Sequence, residues 1–285
     1  MMKMLRGNHF PFANGYSFGD PDAKSYIAAV EAADGQALES GVVTAINDFV
    51  VGCKADGIWN AIKASCILAG ARTLGGALVP LTGAAPTNFN FVSGDYNRKT
   101  GLKGDGSTKY LDSNRNNNAD PRDSQHLCVF ASEALSDISR YMGSGSNAGS
   151  STVGLSGSNF GFRSRNASNF DTGALMANGF LGKSRADGAT VTSRISLTTR
   201  THNQTSNSPA SETIEVFRGA VAPTASRFSF YSIGESLDLA LLDTRVTRLM
   251  AEMQFAINTG LNASSYDIDT LNYVNRGYAA GGSLA

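Results

Sequence analysis

Hydrolysis of a glycosidic bond needs two carboxylates flanking that bond, one to protonate the leaving oxygen and one to attack or to activate water. The nearest pair on one stretch of chain is Glu212 and Glu215, three positions apart, and in a strand that spacing sends the two side chains to opposite faces. Asp112 has no carboxylate at i+2. No catalytic residue is assigned, and the chain is expected not to be an enzyme. His9, His126 and His202 lie far apart without ligand spacing, which argues against zinc. Asp105, Asp112, Asp120 and Asp123 are near one another but follow no calcium-loop pattern and read as solvated turn residues. Gly101, Gly104 and Gly106 lack the strand-to-helix setting of a phosphate loop. Neither a metal nor a cofactor is expected. What remains is recognition. Tyr110, Phe160, Phe162 and Phe170 stand beside Asn-rich loops, and an aromatic ring offers a flat face to the apolar face of a sugar. These four are the candidate glycan-binding residues; the alternative is that they are core.

Composition narrows the partners. Lys and Arg number 24 and Asp and Glu number 24, so no net field draws in nucleic acid or an anionic membrane. No apolar run reaches the length of a membrane-spanning helix, and no membrane insertion is expected. Met1–Arg6 is basic, but Gly7–Gly19 is polar and aromatic rather than apolar, unlike a signal peptide. Cys53, Cys66 and Cys128 have no metal spacing and read as buried thiols of a protein assembled in a reducing cytoplasm. Charged residues are 17% of the chain, below the usual quarter or so. That composition suits an extended β-scaffold with many turns, or faces buried against neighbours.

The elements that would position the aromatics follow from periodicity. Residues 1–20 mix glycine and proline with Phe10, Phe12, Tyr16 and Phe18, an extended N-terminal arm. A helical region over 21–79 begins with Asp20 as N-cap and Pro21 at the first position and ends its first helix at Asp34-Gly35. Ser40–Cys53 is a second amphipathic helix, and Ile58, Trp59 and Ile62 suggest a third, to about Ala64. Ile67–Leu81 fits a linker or a single strand. From about 80 to 235 short strands alternate with turn residues, the pattern of an all-β sandwich. The polar stretches Ser144–Ser151, Arg165–Thr172 and Thr201–Ser211 read as loops, where binding commonly resides. A closing helix spans 236–260. On it Leu239, Leu242, Val246, Leu249, Met253 and Ala256 form a heptad seam, which either covers one face of the sandwich or joins copies at an oligomer axis. Residues 261–285 form a second arm.

Two separated segments carry a resemblance. Gly101–Ser113 (GLKGDGSTKYLDS) is a tight Gly-Asp-Gly turn feeding a strand with Tyr110 and Asp112 on one face and Leu111 on the other. Phe228–Met250 reads as strand, Gly234 turn and helix. With the strand His126–Ala131 and the ending Tyr231-Ser232-Ile233-Gly234, they resemble the concanavalin A-like, laminin-G-like jelly roll. The wording of Asn88–Asn114, together with FYSIGESLDLALLD, is similar to virion structural proteins of marine (cyanophage-like) tailed bacteriophages. The resemblance implies a mainly β fold, a jelly-roll sandwich preceded by a short helical region and followed by a C-terminal helix. It also implies a non-enzymatic virion protein assembled in the host cytoplasm alongside other phage proteins, commonly as a homotrimer. The role it implies is a tail-fibre or appendage component presenting a lectin-like sandwich to a host-surface glycan; a capsid-decoration or head-fibre protein is the alternative, and a polysaccharide depolymerase a third.

Overall fold

The computed structural model describes residues 19–133, 140–156, 159–174, 178–219 and 223–260. Both arms expected from the sequence, apart from Gly19 and Asp20, lie outside the described residues. The chain opens with α1 (Pro21–Asp34) and α2 (Ser40–Ala55), then β1 (Ile62–Ile67), the single turn α3 (Leu74–Ala77), β2 (Thr87–Phe89), β3 (Tyr96–Asn97), β4 (Gly101–Lys103), β5 (Tyr110–Asn116) and β6 (Gln125–Glu133). It continues with β7 (Arg140–Gly143), β8 (Ser151–Ser156), β9 (Asn159–Ser164), β10 (Phe170–Ala174), β11 (Gly179–Arg185), β12 (Thr190–Ile195), β13 (Thr198–Asn203), β14 (Thr213–Val216), β15 (Arg227–Gly234) and α4 (Leu239–Thr259).

The described strands form two antiparallel sheets. One has eight strands in the order β13-β12-β11-β6-β15-β4-β3, with β1 also on β15; the other has seven in the order β10-β9-β8-β7-β14-β5-β2. The fold is therefore mainly β, a sandwich with short N-terminal helices and one C-terminal helix, as expected. Strand β15 shows how one strand serves two cores. A bulge between Phe228 and Phe230 lets Phe228, Tyr231 and Ile233 face the partner sheet while Phe230 faces the helices. All four are buried. Helices α1, α2 and α4 cover the outer face of the larger sheet, so the molecule has three layers and two apolar cores.

Local chemistry explains the helix ends. The Asp20 carboxylate caps α1 by accepting from the Asp22 amide at 2.9 Å, and Gly35 ends the helix in the left-handed conformation at φ 65°, which glycine adopts without steric cost. Asp238 caps α4 through the amides of Ala240 and Leu241. Arg245 of α4 then clasps Asp56, at the end of α2, with two bonds of 2.7 and 2.8 Å. Gly52 allows this, because a Cβ there would stand 2.8 Å from the guanidinium.

The structure departs from expectation in several places. The third helix does not form: a 3-10 turn at Trp59–Ala61 leads into β1, which pairs with Phe230–Gly234 of β15. Ile67–Leu81 is neither a linker nor a strand but holds α3, tied down where Asp34 accepts from the amides of Arg72 and Thr73 at 2.7 and 2.8 Å. Two stretches read as loops contain strand: β10 starts at Phe170, and β13 runs to Asn203. The seam of α4 is an internal surface. Leu239, Leu242, Val246, Leu249, Met253 and Ala256 are at most 2% exposed and sit in the core between helices and sheet, which removes them as an interface between copies.

Candidate functional site

Helices cover the larger sheet, so the outer face of the smaller sheet is where side chains can meet a ligand. Strand alternation decides which do. In β5, Leu111 and Ser113 are buried while Tyr110 and Asp112 are half-buried on the other face. In β14, Ile214 and Val216 point inward, and Thr213 and Glu215 outward. Register places Thr87 and Glu215 on either side of Asp112, and Phe89 beside Tyr110.

The resulting surface begins with a stack. The Phe89 and Tyr110 rings lie parallel, centroids 4.3 Å apart with 5° between planes. The Arg218 guanidinium sits 4.3 Å from the Tyr110 centroid, a cation–π contact, and its Nε lies 3.2 Å from Glu215 Oε2. Phe89 is 37% exposed, which leaves apolar ring surface free. Asp112 accepts from the Thr213 hydroxyl at 3.1 Å and the Asn114 amide at 2.8 Å. Asn114, left-handed at φ 55°, donates from its side-chain Nδ2 to Ala85 O and Thr87 Oγ1 at 2.8 and 3.1 Å. Aromatic stack, guanidinium, two carboxylates and carboxamide thus line one continuous strip.

Turn chemistry aims this strip. The Asp105 carboxylate accepts from the amides of Ser107, Thr108 and Lys109 at 2.9, 2.8 and 3.0 Å, so β5 starts from a fixed turn. Burial works against ionisation there, but the Thr108 hydroxyl and these amides hold the carboxyl well below the usual range. Lys109 Nζ reaches Asp95 at 2.6 Å and ties the turn to the segment after β2.

Among the sequence-nominated residues, Tyr110 is in the strip. Phe160 and Phe162 are fully buried and Phe170 is 9% exposed. All three pack between the sheets, with Phe160 against Tyr141 and Phe170 against both Phe162 and His202. They have no face to offer a sugar and are core. Sequence reasoning missed Phe89, Arg218 and the pairing of Asp112 with Glu215. It sought a carboxylate partner along one strand, whereas the structure supplies it from the adjacent strand on the same face.

The polar loops meet at the opposite end of the sandwich. Gly149 donates to Asn166 O at 3.4 Å, Ala210 to Gly149 O at 3.1 Å, and Asn207 to Arg165 O at 2.5 Å. Arg165 and Arg185, both buried, donate to loop carbonyls, among them Arg122 O at 3.0 Å and Gln204 O at 2.7 Å. Lys183 is buried beneath them, its Nζ on Ser164 Oγ at 2.9 Å and on Gln125 Oε1. Burial pushes the Lys183 amine well below its ordinary value, helped by the nearby Arg165 and Arg185. These cations hold the loops through neutral acceptors, so the end is a braced scaffold. Among the described residues there is no group of three or more His, Cys, Asp or Glu arranged to hold a metal ion. No described helix is long and apolar enough to cross a membrane.

No protein-family model matches the sequence, and no curated protein matches it. Solved structures that align with the chain include domain 4 of AbnA, a GH43 extracellular arabinanase from Geobacillus stearothermophilus in complex with arabinotriose, at 12% identity and TM-score 0.35, covering 57% of this chain and 82% of that one. The botulinum neurotoxin serotype D binding domain aligns at 12% identity and TM-score 0.46, over 66% of this chain and 52% of that one. Trypanosoma rangeli sialidase in complex with sialic acid aligns at 10% identity and TM-score 0.42, over 70% and 34%. The chain thus spans about half of the toxin binding domain.

Proposed function

We propose that the chain is a non-enzymatic, glycan-binding structural protein whose ligand lies along the outer face of the smaller sheet. The observation that carries this reading is the Phe89–Tyr110–Arg218 stack, with exposed ring surface beside Glu215, Asp112 and Asn114. A sugar ring laid on Phe89 places its hydroxyls against carboxylates and carboxamide, which accept and donate the hydrogen bonds that saccharides require. The resemblance of Asn88–Asn114 and Phe230–Asp243 to marine phage virion proteins supports a tail-fibre or appendage component that attaches to a host-surface glycan, assembled with other virion proteins as a homotrimer. Both carboxylates of the strip are engaged, Glu215 by Arg218 and Asp112 by Thr213 and Asn114, which favours holding a sugar over cleaving it.

The cross-strand pair of Asp112 and Glu215 also defines the competing reading, a glycoside hydrolase. A glycan array probed with the intact chain and with Phe89→Ala, followed by a reducing-sugar assay on any glycan retained, separates the two. Retention lost in Phe89→Ala without sugar release supports attachment. Release abolished by Asp112→Asn or Glu215→Gln would establish the hydrolase instead.

A further inference from the structure

A concave surface lies where the helical layer meets the sandwich. The loop ahead of α3 and the turn between β3 and β4 enclose a groove of ≈ 540 Å³, lined by Arg72, Leu74, Tyr96, Asn97, Arg98 and Lys99 among others. That volume is in the range of small-ligand sites, about 300–1,000 Å³. Its charge is unbalanced. Arg98 binds both oxygens of Glu39 at 2.8 and 2.7 Å, and Arg72 shares the same carboxylate at 3.2 Å. Lys99 is exposed, and its ammonium meets no acceptor among the described residues. Asp34 offsets one charge but commits its oxygens to the amides of Arg72 and Thr73 and to the Thr73 hydroxyl, at 2.7, 2.8 and 2.7 Å. Three cations against two carboxylates leave a positive groove.

At the rim, Asn97 and Lys99 have donor capacity left. Asn97 spends its oxygen on the amides of Lys99 and Thr100 at 2.9 and 3.3 Å, which leaves its NH₂ group. Lys99 has only donors. The Tyr96 hydroxyl is committed to Ala71 O at 2.7 Å, so tyrosine contributes its ring, and Leu74 adds apolar surface beside it. A positive rim over an aromatic and aliphatic floor suits a ring-shaped ligand carrying one anionic group.

We propose that this groove binds an acidic saccharide unit, a uronate or sulfated sugar, its anionic group held at Lys99 and Asn97 and its ring set on Tyr96 and Leu74. This site is separate from the Phe89 strip and does not depend on it. The test is calorimetric titration of the full chain with glucuronate, glucose and inorganic sulfate, repeated on Lys99→Glu and Phe89→Ala. Lys99 is exposed, so its replacement leaves the fold intact, which the thermal melt verifies. Glucuronate should bind, weaken about tenfold or more in Lys99→Glu, where a charge-assisted bond becomes a like-charge contact, and still bind Phe89→Ala; glucose should show no heat with Phe89→Ala, in which the strip is disabled. The proposal is overturned if Phe89→Ala binds glucose as well as glucuronate or if Lys99→Glu binds glucuronate unchanged. Sulfate alone matching glucuronate would reduce the groove to a simple anion site and overturn the saccharide assignment.

Discussion

Phe89 is the side chain on which recognition turns, because it is the stacked ring with surface to spare. Its truncation to alanine should lower glycan affinity by about 1–3 kcal/mol, roughly fivefold to 150-fold, with a small change in melting temperature; titration beside a thermal melt checks both. Its role was hidden in the sequence for a physical reason. Phe89 and Phe91 are two apart, which in an unbroken strand puts both on one face. Asn90, left-handed at φ 67°, ends β2 between them, so Phe91 turns into the core at 4% exposure while Phe89 stays out. Tyr110 and Asp112, by contrast, were placed correctly by simple alternation. His126 supplies a pH prediction. It is fully buried between Ser232 Oγ and Glu235 O at 2.7 and 2.6 Å, and burial pushes its pKa down to about 4 from 6.5. The unfolded chain therefore takes up the proton first. The part of the stability that His126 contributes should be full above pH 6.5, fall by about 3 kcal/mol between pH 6.5 and 4, and level off below. Denaturant titrations across that range should show the loss, and His126→Gln should flatten this part of it. Ile233, fully buried, should cost about 2–5 kcal/mol when changed to alanine; a loss under about half a unit would contradict its place in the core.

Helix α4 illustrates how much of an element periodicity can reveal and where it stops. Its existence and its apolar stripe from Leu239 to Ala256 were readable, with limits of 236–260 against the observed Leu239–Thr259, as were the caps of α1. Whether the stripe faced the protein's own sheet or a second copy was not, since both demand the same spacing. The structure buries it against α2 and the larger sheet. Leu249→Asp should accordingly unfold the monomer, at a cost of about 4 kcal/mol or more. Circular dichroism with sedimentation would show this as lost helicity, and a folded chain that had merely changed oligomeric state would contradict it. Strand β1 was misread because Ile58, Trp59 and Ile62 fit a helical spacing and its pairing partner, β15, lies more than 160 residues away. No local window contains that information. Strands β10 and β13 escaped for another reason. Each is an edge strand paired on one side, β13 is largely exposed, and Thr, Asn and Gly there mimic loop composition.

Among the described residues the sandwich has one sheet closed by helices and the other left uncovered by any helix, and that asymmetry gives the glycan reading its place. Sandwich, closing helix and most strands were legible because hydrophobic alternation is a local property. The strip was legible only in part, because Phe89, Tyr110, Glu215 and Arg218 come from segments up to 129 positions apart that register alone brings together. Apart from the groove at Lys99, two surfaces compete for a neutral saccharide: the strip, and the end where loops 144–150, 165–169 and 204–211 meet. Amide chemical-shift mapping of the isotope-labelled chain, titrated with a saccharide it retains, decides between them. We predict that the shifts concentrate on Thr87–Phe89, Tyr110–Asn114 and Thr213–Glu215. Shifts confined to the three loops, with Phe89 and Tyr110 unmoved, would contradict the assignment of the strip as the glycan-binding face.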